Sequence, residues 1–240
     1  CDAKTMSTVK IEENVASVKA RIAAAAGGRH VTLVAATKMN DAEAVRRAIA
    51  AGVDACGENR VQEMLEKLEE DAYRGVPLHF IGTLQKNKVK FVVGKCDLIH
   101  SVNSPELLSA IGKKAESLGI CQDVLLEINI GREESKTGFL PEQLPQLLEA
   151  AENFPSVHVR GLMAIPPKSL EIGGNRRYFE QMHELFIDIG EKKYDNVSMD
   201  FLSMGMSEDF EDAIACGANM VRVGSGIFGP RNYGAAARPE

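Results

Sequence analysis

The 240-residue chain has no tryptophan, and aromatic residues make up only 5% of it. No apolar run approaches the roughly 20 residues that a membrane-spanning helix needs, so no membrane role is expected. Basic residues are not in surplus: 28 Lys and Arg stand against 34 Asp and Glu, a net charge of −6. That balance argues against general nucleic-acid affinity. The five cysteines (Cys1, Cys56, Cys96, Cys121 and Cys216) are odd in number, far apart and form no CxxC pair. Such spacing fits neither a disulfide framework nor a zinc site, and it suits a reducing cytoplasm. The N-terminal stretch is broken by Glu12, Glu13, Lys19 and Arg21, so it does not read as a signal peptide. Residues 1–6 are expected to be a leader, with Met6-Ser7 as a candidate natural start. His30, His79, His100, His158 and His183 lack metal-ligand spacing, so no metal is expected and local hydrogen bonding is their assigned role.

What is present is a regular alternation. Ile11, Val15, Val18 and Ile22 form one stripe at steps of three and four, predicting a first helix over 7–26 that stops at Gly27-Gly28. The apolar run Val31-Thr32-Leu33-Val34-Ala35-Ala36-Thr37 reads as a buried strand and ends on Lys38. A helix over 42–51 follows, with Asn40 as the expected cap and Glu43 three residues on. Further strands are predicted at 53–57, 77–82, 98–102, 124–130, 157–165, 197–202 and 219–223, each followed by a helix or a tight turn. Ser104-Pro105 reads as a cap with proline in the first helical turn, and Ser207 as the cap of the helix after strand seven. Ala48-Ile49-Ala50-Ala51-Gly52-Val53-Asp54 is echoed by Ala213-Ile214-Ala215-Cys216-Gly217-Ala218-Asn219, two helix-Gly-strand joints of one design.

Eight strands alternating with helices, with no linker, predict an α/β fold: a single (β/α)₈ TIM barrel with an extra N-terminal helix. The rival doubly wound sheet would want a G-x-G-x-x-G turn after the first strand, where the chain reads Thr37-Lys38-Met39-Asn40. In a barrel, active residues come from the C-terminal ends of strands, and phosphates often bind after strands seven and eight. Those ends are Ser203-Met204-Gly205-Met206-Ser207 and Arg222-Val223-Gly224-Ser225-Gly226. Small residues let backbone N–H groups approach an anion, although two ordinary turns would read the same. Arg222 points inward from an apolar strand and needs an acceptor, either a ligand or a buried carboxylate. Lys38 could equally pack its stem on the rim, but a partly buried amine can also attack an aldehyde. Lysine, arginine and phosphate cup together suit a phosphorylated aldehyde, pyridoxal 5′-phosphate (PLP). Lys86, Lys88, Lys90 and Lys95 read as a solvated face, Met204 and Met206 as packing, and Lys136 as a second amine near the mouth or a plain surface lysine.

Seven stretches carry a resemblance over residues 7–233: Val34–Lys38, Gly57–Glu63, His79–Gly82, Glu134–Phe139, Gly161–Ile165, Leu202–Ser207 and Val221–Gly229. In these the chain resembles the pyridoxal phosphate homeostasis protein family, single-domain barrels similar to the N-terminal domain of alanine racemase. The resemblance implies PLP held as a Schiff base on Lys38 and Arg222 against the pyridine nitrogen. It implies phosphate among Ser203, Ser207, Gly224 and Ser225, with Met206 and Asn59 nearby. The family's strand-one motif commonly continues Lys-Thr-Lys-Pro, whereas Lys38 is followed here by Met39-Asn40-Asp41, so no role passes to a second lysine.

A pyridine nitrogen beside a permanent cation stays unprotonated and makes a poor electron sink. Two-base racemisation also needs a second group, which in alanine racemase is a tyrosine from an additional β domain not seen in this sequence. The resemblance therefore implies a cytoplasmic, monomeric PLP carrier with no catalytic residues. Its implied role is buffering or delivering PLP, to apo PLP-dependent enzymes, and balancing amino and keto acids. The alternative is a PLP-dependent amino-acid racemase.

Overall fold

The structure, a computed structural model, describes residues 9–230. The leader expected at 1–6, and the ends of the expected 7–233 domain at 7–8 and 231–233, lie outside the described residues. Eight parallel strands close into a barrel in sequence order: β1 (Thr32–Ala36), β2 (Ala55–Glu58), β3 (Leu78–Phe80), β4 (Leu98–Val102), β5 (Gln122–Glu127), β6 (Val157–Met163), β7 (Val197–Ser203) and β8 (Met220–Val223). Around them run α1 (Ile11–Ala26), α2 (Ala42–Ala51), α3 (Val61–Glu69), α4 (Val89–Val92), α5 (Pro105–Leu118), α6 (Leu144–Ala151), α7 (Arg176–Glu191), α8 (Phe210–Ala215) and α9 (Ser225–Phe228). The fold is a (β/α)₈ TIM barrel with an additional N-terminal helix, and no helix is long and apolar enough to cross a membrane among the described residues.

Strand alternation divides the apolar residues between two cores. Val34, Ala55, Leu98, Leu125, Met163 and Met220 point inward and fill the barrel. Their neighbours, such as Leu33, Ala35, Val221 and Val223, point outward against the helices. The stripe Ile11, Val15, Val18 and Ile22 is fully buried, and α1 packs on α2, α8 and α9. Asn14 ties it to the end of the barrel by donating to the Ile227 carbonyl at 2.9 Å.

The repeated joint has a repeated function. Gly52 and Gly217 both adopt the left-handed conformation after their helices, with φ of 109° and 114°. Asp54 then accepts from the Leu33 N–H at 2.7 Å, and Asn219 from the Leu202 N–H at 2.8 Å. In each case an acidic or amide side chain at the start of a strand takes a donor from the neighbouring strand.

Three local expectations are corrected. Asp41, not Asn40, caps α2 by accepting from the Ala44 N–H at 2.8 Å; Asn40 is spent on the Lys38 carbonyl at 3.0 Å. Ser207 does not cap α8, which begins three residues later, because its Oγ accepts from the Gly226 N–H at 3.1 Å. Strand β5 is displaced toward its N-terminal end and stops at Glu127, after which Ile128 makes only an isolated bridge to Phe139. Ser104 and Pro105 open α5 as expected, the Ser104 hydroxyl accepting from the Leu107 N–H at 3.1 Å.

Candidate functional site

Strands β1 and β8 pair along the closing seam, with Val34 opposite Arg222 and Ala35 opposite Val223. The residues that follow each strand therefore share one rim. A Cβ on Gly224 would stand 3.3 Å from the Ala36 Cβ, a tight contact, so the turn after β8 lies close against the end of β1. Lys38, two residues beyond β1, sits in a pinned loop. The Thr37 N–H donates to the Gly57 carbonyl at 3.0 Å, and the Asn40 N–H to the Thr37 carbonyl at 3.1 Å. Met39 adopts a left-handed φ of 64°.

A cleft of about 800 Å³ opens on this rim, a size suited to a small cofactor. Lys38, Asn59, Met206, Ser207, Arg222, Gly224 and Ser225 all line it. Asn40, Ala164, Asn175, Gly205 and Asp209 join them without having been anticipated, as does the segment 165–174. Met206 is 42% exposed at the mouth, so it does not pack as Met204 does in the core. Asn59 is held against the backbone at Gly82, where a Cβ would lie 2.1 Å from the Asn59 carbonyl oxygen. The side-chain oxygens of Asn59 and Asn175 are buried without a hydrogen-bond partner, so two lining amides have capacity to spare.

Ser203 does not line the cleft with the other seven; it lies below, wholly buried. Its hydroxyl accepts from Arg222 Nη1 and meets His100 Nδ1 at 3.0 Å, while His100 Nε2 meets His79 Nδ1 at 2.9 Å. Arginine can only donate, so the Ser203 oxygen accepts from Arg222, and the same hydroxyl bonds the His100 ring nitrogen. Burial pushes His79 down to about 4 and His100 well below its usual value, so both are neutral in this chain. Nothing in the local pattern of glycines and apolar residues points to this link, because it joins four strands, β3, β4, β7 and β8, across the barrel.

Arg222 also donates to the Ala164 carbonyl at 3.1 Å and has no ion-pair partner among the described residues. The buried-carboxylate explanation of its inward direction is therefore set aside. Burial lowers it to about 10, opposed by the charges of Glu127 and Asp209, and it stays cationic at neutral pH. Glu127 is raised to about 7 by burial, against the Arg222 charge and a Thr137 hydrogen bond. Burial raises the Cys56 and Cys96 thiols to about 12, so neither is a ready nucleophile. Lys136 is paired with Glu133 at 2.9 Å, and the Lys86, Lys88, Lys90 and Lys95 face is exposed. No cluster of three or more metal-binding side chains occurs among the described residues.

A family model described as "Alanine racemase, N-terminal domain" matches residues 7–232. The chain is 45% identical over 201 residues to the pyridoxal phosphate homeostasis protein of Aquifex aeolicus, covering 84% of this chain and 87% of that one. It is 41% identical over 237 residues to the protein of that name from Pseudomonas aeruginosa, covering 97% and 100%. Among solved structures, PipY of Synechococcus elongatus PCC7942 with PLP bound superposes with a TM-score of 0.78 at 33% identity, covering 92% of this chain and 100% of that one. An alanine racemase from Clostridium difficile 630 shares the fold with a TM-score of 0.70 at 16% identity, 92% of this chain matching 60% of the larger one.

Proposed function

The chain belongs to the pyridoxal phosphate homeostasis protein family, and on that premise we propose that it holds PLP in the rim cleft, linked to Lys38. When bound, PLP supplies an aldehyde that condenses with a lysine amine and releases one water. The residues present fit such a group: an amine, a buried cation bonded only to neutral acceptors, and two spare amides face one cleft. The observation that carries the reading is that Lys38 and Arg222 open on that same cleft beside the small-residue turns after β7 and β8.

Lys38 supplies the amine. Arg222 would be the residue to hold the ring nitrogen, and its permanent charge would disfavour protonation there and so weaken the electron sink that carbanion chemistry needs. Ser207, Gly224 and Ser225 take the phosphate; Ser207 accepts from Gly226, so its own hydrogen is left to give to an anion. Asn59 offers an amide to the same ligand. Met206 borders the mouth. Ser203 is assigned a different part from the one its motif suggested: it orients Arg222 rather than touching phosphate. The tyrosine that serves as second base in alanine racemase has no tyrosine counterpart among the described residues that line the cleft. The role that follows is buffering and delivery of PLP in the cytoplasm by a monomer, to apo enzymes that need it, without efficient turnover.

The test is a visible absorption spectrum of purified protein before and after borohydride, with the modified peptide mapped. Pyridoxyl is expected on Lys38 and is expected to be lost in Lys38→Ala. A visible band that persists without Lys38 overturns the assignment.

A further inference from the structure

We propose that Glu63 and Lys67 of α3 are positioning residues that hold the peptide on both sides of Lys38 and so set the direction from which its amine meets an aldehyde. This rests on the reading of Lys38 above. Lys67 is a lysine whose side chain is only 6% exposed, buried behind the loop rather than in the cleft. Its ammonium donates to the Thr37 carbonyl at 2.8 Å, to Glu58 at 2.8 Å and to Glu63 at 2.9 Å. Glu63 in turn accepts from the Met39 N–H. One residue before Lys38 and one residue after it are thus bonded to a single ion pair on one helix.

The pair is anchored from beneath. Oε1 of the fully buried Glu58 accepts from Lys67, from the Thr37 hydroxyl and from the Tyr73 hydroxyl, the last at 2.8 Å. Buried ion pairs seldom add stability beyond what an apolar replacement would give, so stability alone is a weak reason for this one. What an apolar replacement lacks is the donor for Thr37 and the acceptor for Met39. Met39 needs that acceptor, because a non-glycine residue holds a left-handed conformation only where its surroundings fix it. A lysine on a slack loop would still reach the cleft but would spend less time aligned for attack.

The experiment mixes PLP with apo wild type, Glu63→Ala, Glu63→Gln and Lys67→Met and follows the visible band in a stopped-flow instrument. Affinity for pyridoxine 5′-phosphate, which lacks the aldehyde, is measured alongside. Glu63→Ala is expected to slow covalent capture by about tenfold to a hundredfold while leaving affinity for the aldehyde-free compound within a factor of about two. Glu63→Gln keeps an oxygen for the Met39 N–H and is expected to recover most of the rate. Lys67→Met is expected to match or exceed the Glu63→Ala defect. Should it fail to fold, the two Glu63 variants still decide. Capture by Glu63→Ala at the wild-type rate overturns the proposal, and so does an equal loss of both ligands, which would mark general damage. If wild type itself yields no band and no borohydride adduct on Lys38, it is the cofactor assignment that falls.

Discussion

The guanidinium of Arg222 on β8 donates to the hydroxyl of Ser203 on β7, at the floor of the cleft and out of water. That single contact separates two roles for Ser203. As an orienting acceptor, its removal leaves a buried cation and the His100 nitrogen each short of a partner.

Ser203→Ala is therefore expected to destabilise the apo protein by about 1–3 kcal/mol in urea denaturation. Were Ser203 a phosphate ligand alone, apo stability would stay put and only PLP affinity would fall.

Acid stability follows from the neutral histidine pair. In the unfolded chain each imidazole takes up a proton near 6.5, whereas burial holds folded His79 neutral until about 4 and keeps His100 well below its usual value. The unfolded state binds more protons in that window, so stability is full above about 6.5 and falls as pH drops toward 4, by at most about 1.4 kcal/mol per pH unit for each histidine. Glu127 has the opposite sign: raised to about 7, it favours the folded state as pH falls from 7 to 4.5, and buried Glu58 acts in the same direction. Glu127→Gln is expected to steepen the loss between pH 6.5 and 4.5 in urea melts. An unchanged slope would mean that Glu127 titrates normally.

Gly82→Ala places a methyl against the Asn59 carbonyl, where backbone must move to admit it. A loss of about 1–3 kcal/mol is expected from overpacking. Weaker PLP binding should accompany it, read by titration at a temperature where the variant is fully folded. Full affinity in the destabilised protein would remove Asn59 from the site.

The holo-protein incubated with L-alanine in deuterated water is expected to exchange the α-proton no faster than free PLP does. Rapid exchange with D-alanine appearing would assign turnover and a second acid–base group in the cleft.

The parts of the fold that the sequence announces are the local ones. Ser104-Pro105 and the stripe on α1 depend on residues a turn apart, and both stand where the pattern puts them. Asn40 and Asp41 show the limit: either side chain can cap a helix, and only the position at which the helix starts, Ala42, makes Asp41 the acceptor for the Ala44 N–H. At the site, Lys38, Arg222 and the glycine turns are legible because strand ends in a barrel share a rim. Lys67 is not, since in α3 it spaces like any surface lysine paired with Glu63, and only packing against the 37–40 loop buries it. Ser203 sits in the right motif but faces inward, which a one-dimensional pattern does not record.

The first strand meets the last, so the two halves of the cleft are synthesised far apart in time. A nascent chain still lacking its final strand owns the reactive amine but not the cradle beside it. On the proposed placement, capture of vitamin B6 would report completed folding, since the cleft exists only once the cylinder has shut.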